Sequence, residues 1–193
     1  MSGILGKKLG MTRIFQDDGR VIPVTVVQCE PNEITQVKTV EKDGYPALVL
    51  GFSKLKKPTK TQKFAFQREI KIAAADVANY KKGDMLTVAT LEGIEEVKVI
   101  GYSKGKGFQG VIRRWGFHGG PGGHGSLHHR EPGSSGCRAK PGRVQKGKKY
   151  PGHQGLDRVT LKKDIVTIDK DKNIICLKGA IPGPNGGLIT ICK

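Results

Sequence analysis

Short runs of β-branched and apolar residues, each closed by a turn, set the pattern of the first hundred residues. Residues 11–15 and 21–29 flank Asp17-Asp18-Gly19, the composition of a hairpin turn. Residues 34–40 and 47–52 repeat the arrangement about Lys42-Asp43-Gly44. Phe64, Phe66, Arg68, Ile70 and Ile72 then alternate with polar neighbours as a strand does. Residues 73–80 predict one or two helical turns, closed by Lys82-Gly83-Asp84, and 85–90 and 95–102 predict two more strands. The pattern returns at 158–161, 165–168, 174–177 and 188–192, with a Gly/Pro loop over 179–187. Nine or ten short strands with little helix predict a mainly β fold, a closed antiparallel barrel or a sandwich.

Between these two blocks the pattern disappears. Residues 101–155 hold eleven cations, all five histidines and sixteen of the 28 glycines of the chain, against a single acid, Glu131. So few large apolar side chains cannot offset the entropy of ordering the segment, and its like charges repel. An insertion of this length in a compact domain is functional or disordered. The expected organisation is therefore a discontinuous β domain, 1–102 and 156–193, interrupted by an extended basic arm, 103–155. Doubled back, that arm reaches at most roughly 85–90 Å. It is expected to be disordered when free and to need a polyanion to hold it.

Charge narrows the partner. The 193 residues carry a net charge of +17, and the arm supplies +10 of it. A bias of this size points to nucleic acid or an anionic membrane. No apolar run approaches the roughly 18 residues of a membrane span, so nucleic acid leads. Residues 1–8 lack a signal-peptide core, which predicts a protein that is not secreted. Cys29, Cys137, Cys176 and Cys192 show no paired spacing, as expected of reduced thiols.

Three stretches invite a more specific chemistry. Gly105-Lys106-Gly107-Phe108-Gln109-Gly110 has the glycine spacing of a dinucleotide fingerprint, but residues 111–120 leave no room for a packed crossover helix and no βα alternation exists elsewhere. Residues 142–149 come close to a phosphate-binding loop, yet Lys149 stands where a hydroxyl must hold magnesium. His118, His124, His128, His129, Cys137 and His153 suggest zinc, but His124 and His128 form half a ligand set with no second pair. Stacking on bases, or bonding to phosphate and ribose, suits these rings better. Phe108, Trp115, Phe117 and Tyr150 stand among the cations, where they either pack locally or stack on unpaired bases.

The residues also resemble one known family. Gly6-Lys7-Lys8-Leu9-Gly10-Met11-Thr12-Arg13-Ile14-Phe15, followed by Ile22-Pro23-Val24-Thr25-Val26-Val27, is similar to the opening of the bacterial-type large-subunit ribosomal protein three family. Thr35-Gln36-Val37-Lys38 fits its second hairpin. Ser103-Lys104-Gly105-Lys106-Gly107-Phe108 and Arg113-Arg114-Trp115 resemble the start of its extension. His129-Arg130-Glu131-Pro132-Gly133-Ser134, Pro141-Gly142-Arg143-Val144 and Lys146-Gly147-Lys148-Lys149 continue that extension, and Lys178-Gly179-Ala180-Ile181-Pro182-Gly183-Pro184 resembles the closing loop. The Gly- and His-rich stretch 117–128, the short loop 53–63 and the early end after Pro184-Asn185-Gly186-Gly187 depart from the family pattern.

The resemblance implies a translation-protein-type β-barrel with an arm threaded into large-subunit rRNA. It implies binding near the 3′ end of that RNA early in assembly, and an inner arm end near the peptidyl-transferase centre that supplies no catalytic group. The expected rRNA-binding residues are Lys7, Lys8 and Arg13 near the barrel rim, and Lys104, Lys106, Arg113, Arg114, Trp115, His128, His129, Arg130, Arg138, Lys140, Arg143, Lys146, Lys148 and Lys149 on the arm. Tyr150, Gly152, His153 and Gln154 fall on the inner end. Neighbouring large-subunit proteins are the other expected partners. No membrane, small-molecule substrate, cofactor or metal is expected, and the location is a cytoplasmic ribosome, an organellar one being the alternative. The competing readings are a metal-dependent enzyme on nucleic acid that uses the His-rich segment, and an RNA chaperone whose arm never settles on one site.

Overall fold

A computed structural model describes residues 3–60 and 62–193 of the chain. Met1 and Ser2 of the N-terminal stretch, and Thr61 of the basic loop over 53–63, lie outside the described residues. The fold is mainly β, as the alternation predicts, with twelve strands among the described residues. They group into two compact units by sequence, residues 1–103 with 158–193, and residues 104–157.

In the first unit β1 (Gly3–Phe15) and β2 (Val21–Gln28) form the first hairpin. The turn between them closes through Gly19 N–H to Gln16 O at 3.0 Å and Gln16 N–H to Arg20 O at 2.9 Å. Four later strands complete this sheet: β7 (Glu96–Tyr102), β10 (Arg158–Asp169), β11 (Ile174–Lys178) and β12 (Leu188–Cys192). The antiparallel ladders run β1-β12-β7-β10-β11-β2, and β2 pairs again with β1, so the circuit returns to its start.

The remaining strands of this unit do not join the circuit. β3 (Asn32–Lys38), β4 (Ala47–Lys54), β5 (Phe64–Lys71) and the two-residue β6 (Met85–Leu86) form a separate sheet in the order β5-β4-β3-β6. A single barrel of all strands is therefore not what forms. Asn32 marks the departure. Its buried amide accepts from Leu5 N–H and donates to Leu5 O, both at 3.1 Å, so a side chain satisfies the β1 backbone where the chain leaves the first sheet. One core serves both sheets: Ile4, Leu5, Val27, Ile189 and Ile191 join Ile34, Leu48, Leu50 and Phe52 in one buried cluster. Cys29, Cys137, Cys176 and Cys192 are free thiols, and burial pushes that of Cys29 up to about 12.

Three strand expectations change in detail. Residues 85–90 give only β6, because the chain then turns through a 3-10 helix, Val88–Leu91, that buries Val88 and Leu91. The runs at 158–161 and 165–168 are one twelve-residue strand, β10. The charges between them lie on an exposed ladder, where Lys162 Nζ meets Glu96 at 3.5 Å and Lys178 Nζ meets Asp164 at 2.9 Å. The Lys42-Asp43-Gly44 turn includes a short helix, α1 (Val40–Asp43), ended by Gly44 in the left-handed conformation.

Candidate nucleic-acid interface

The second unit is built from little. A two-stranded ladder joins β8 (Gly107–Gln109) to β9 (Gly152–Gln154), pairing Gly107 with Gln154, Phe108 with His153 and Gln109 with Gly152. A single helical turn, α2 (Val111–Trp115), follows β8 and ends at Gly116 in the left-handed conformation. From Gly116 to Pro151 there is no helix or strand. Val111 is the only apolar side chain of this unit that is buried among the described residues. Hydrophobic burial of its own therefore contributes little to holding it.

Polar contacts hold α2 against the stretch before β9. Arg114 Nη1 and Trp115 Nε1 both donate to the Tyr150 carbonyl, at 2.8 and 2.9 Å. The Arg114 guanidinium and the Lys149 ammonium lie 5.0 and 5.8 Å from the centre of the indole of Trp115, within cation–π range. Lys106 N–H donates to Gln154 O at 2.9 Å. Gly155 sits at φ +85°, and a Cβ there would collide with Lys104 O and come within 2.8 Å of Gly105 Cα and 2.9 Å of Lys106 N. Gly155→Ala is therefore expected to open the β8–β9 ladder at a cost above about 2 kcal/mol. Amide exchange checks this: Lys106 should lose protection while the first unit, for example Val99, keeps its own. Unchanged protection at Lys106 would refute the constraint.

Within this unit the expected cations are exposed except Arg114, which is half-buried in its contact with Tyr150. Among the described residues none of the eleven is ion-paired to a carboxylate. Arg113 and Arg130 through Lys149 thus present charge that the protein does not neutralise. His128 Nδ1 contacts Glu131, and His129 Nδ1 hydrogen-bonds to Pro121 O at 2.7 Å. The five histidines do not converge: among the described residues no three His, Cys, Asp or Glu side chains gather where an ion could be held. At the inner end His153 is exposed, Tyr150 and Gly152 are half-buried, and Gln154 Oε1 is buried with no hydrogen-bond partner in the protein.

The first unit treats its three candidates differently. Lys7 and Arg13 are exposed, with Arg13 5.7 Å over the Phe15 ring. Lys8 is only 7% exposed, and its ammonium donates to Ile181 O at 3.1 Å and Gly183 O at 3.2 Å. Two of its three donors thus face the chain's own loop, and a phosphate contact from Lys8 would compete with these carbonyls. Lys8 shares the inward face of β1 with Ile4 and Gly6 and stands opposite Val27, while Leu9, at the register shift that follows, is 43% exposed, the reverse of what side-chain polarity suggests. The short elements β8, β9 and α2 are not legible in the sequence pattern either. The one local signal is Gly110 and Gly116 bracketing Val111–Trp115, a weak one for a single turn.

Comparison with known proteins identifies the arrangement. Residues 70–178 match the family model described as Ribosomal protein L3. The chain is 50% identical, over 98% of its own length and 96% of the relative's, to the large ribosomal subunit protein uL3 of Desulfotalea psychrophila. It is 46% identical to the uL3 of Geotalea daltonii and 43% to that of Pelotomaculum thermopropionicum, each over 98% of this chain and 95% of the other. Matches of this extent, spanning both the β domain and the basic segment, place the chain in the ribosomal protein L3 family, in its bacterial form.

Proposed function

We propose that the chain is a structural component of the large ribosomal subunit that binds large-subunit rRNA and helps nucleate early assembly near the 3′ end of that RNA. The observation that carries the reading is the second unit: eleven cations without a carboxylate partner, on a segment with one buried apolar side chain. Such a segment lowers its free energy by exchanging condensed counterions for phosphates, which is how proteins bind nucleic acid at high charge density. The strand circuit of the first unit serves as a translation-protein-type barrel, with Lys7 and Arg13 at its rim. Residues 103–155 are the arm that enters the RNA, and Lys104, Lys106, Arg113, Arg130, Arg138, Lys140, Arg143, Lys146, Lys148 and Lys149 neutralise crowded phosphates.

Arg114 and Trp115 brace Tyr150 from within the arm, and Tyr150, Gly152, His153 and Gln154 form the stretch nearest the peptidyl-transferase centre. There an RNA amino or hydroxyl group satisfies the Gln154 carbonyl oxygen. Neighbouring large-subunit proteins complete the surroundings, and bacterial relatives support a cytoplasmic ribosome as the location. Catalysis is not part of the role. The test is binding to separate transcripts of each large-subunit rRNA domain. The 3′-terminal domain should bind roughly 10³-fold more tightly than unrelated RNA at physiological salt. Equal affinity for all transcripts would favour a chaperone that reads no particular fold.

A further inference from the structure

Glu131 is anomalous. It is the one acid between residues 101 and 155, set among eleven cations on a segment proposed to enter a polyanion, where a carboxylate is repelled by every neighbouring phosphate. Its position suggests a compensation. Glu131 lines a solvent-open cavity of about 560 Å³ together with Trp115, Phe117, His118, His128 and Lys149. That volume lies within the roughly 300–1,000 Å³ of small-ligand sites, ample for one nucleobase.

The walls are fixed by backbone and indole alike. Trp115 is held by its bond to Tyr150 O at 2.9 Å, with its exposed indole flanked by Arg114 and Lys149, so a base that stacks there takes the place of a cation on one face. Gly119 and Gly120 pass so close to His129 O and His128 O that a Cβ on either would collide, and Gly120 N–H donates to His129 O at 3.2 Å. Glu131 is steered by His128, which contacts Oε2 and leaves Oε1 and the second lone pair of Oε2 to accept. Lys149 lines the same cavity and can meet the phosphate of an entering nucleotide.

We propose that this cavity takes a single unstacked guanine of the bound RNA, stacked on Trp115 and read by Glu131. A carboxylate only accepts hydrogen bonds. Guanine alone among the four bases presents two adjacent donors, N1–H and the 2-amino group, on its Watson–Crick edge. Adenine and cytosine place a ring-nitrogen acceptor beside their amino group, and uracil places carbonyls on both sides of its N–H, so each meets the carboxylate with repulsion. Unstacked bases bound on aromatic rings and read at this edge are the common mode of single-strand RNA recognition. The inference rests on the RNA-binding reading above and deepens it.

Trp115 is the only tryptophan of the chain, so its fluorescence reports on this cavity directly. The full-length protein is titrated with uridine heptanucleotides whose central residue is guanosine, inosine, adenosine, cytidine or uridine. Any cost of ordering the arm is shared by all five, so their affinity ratios isolate the central base. The guanosine strand should bind roughly tenfold more tightly than the adenosine, cytidine and uridine strands and quench Trp115 most, with inosine, which lacks the 2-amino group, in between. Glu131→Gln, an exposed change, should abolish the preference while leaving binding of the uridine strand. Equal affinities, or a guanosine preference that persists in Glu131→Gln, would overturn the assignment with RNA binding intact. Failure of every strand to bind even at low salt would also overturn the assignment, and the RNA-binding reading falls with it only if the rRNA-domain transcripts fail to bind as well.

Discussion

Deleting residues 104–154 is expected to flatten the salt dependence of RNA binding. If each of the eleven arm cations engages a phosphate, the arm alone sets a slope of roughly −8 to −10 in log K against log salt. The intact chain then loses roughly 10⁵-fold in affinity between 50 and 200 mM salt. The deletion removes eleven cations and one acid and leaves a net charge of +7. The first unit tolerates the cut because Tyr102 and Arg158 are paired in adjacent strands β7 and β10. Ser103, Gly155, Leu156 and Asp157 remain to join them, a normal length for a hairpin loop. Filter binding over a salt series checks this, with a thermal melt to show that the shortened protein is folded. A slope that survives the deletion would place the main contact on the β domain.

Lys8→Ala should act on stability and leave the salt slope alone. The substitution leaves two carbonyls, Ile181 O and Gly183 O, without the charged donor that now satisfies them. Charge-assisted bonds of this kind contribute about 1.5–3 kcal/mol each, and losing buried partners carries a desolvation cost, so a loss of about 2–4 kcal/mol is expected. In a domain of this size that lowers the melting temperature by roughly 5–15 °C. The loop over residues 179–187, which Lys8 ties to β1, should exchange its amides faster. A melting temperature that does not move, together with a shallower salt slope, would show that Lys8 serves RNA and not the loop.

These two changes separate what the sequence reveals from what it hides. β2 and β4 are legible as β-branched and apolar runs bounded by turn residues, and β5 by the alternation of Phe64, Phe66, Arg68 and Ile70. The separate four-stranded sheet is not, since nothing in the pattern of residues 32–38 tells which neighbour the strand pairs with. The bonds that tie its first residue, Asn32, to Leu5 span 27 residues and leave no local signal. The charges within β10 resemble a boundary because sequence alone cannot show that they face solvent and pair across the ladder.

The arm's charge is legible by counting, but the use the fold makes of individual cations is not. Arg114 spends its guanidinium on Tyr150 O and Lys8 its ammonium on a loop, and both look like ordinary phosphate ligands in the sequence. Lys8 falls on the inward face by alternation from Ile4 and Gly6, against its polarity, and Leu9 falls on the exposed one. The β8–β9 ladder is hidden for another reason. Its strands are three residues each, rich in glycine, and more than forty residues apart in the chain. Contacts at such separation leave no local periodicity to read.

The central claim is that this chain is an integral, RNA-held part of the large ribosomal subunit. Gradient sedimentation of ribosomes carrying a tagged copy, before and after a high-salt wash, tests it most directly. One copy per large subunit, retained through the wash, is the predicted result, because an arm enclosed by folded RNA does not dissociate when surface ion pairs are screened. Protein found free at the top of the gradient, or stripped at the first increase in salt, would contradict it and mark the chain as a peripheral binder.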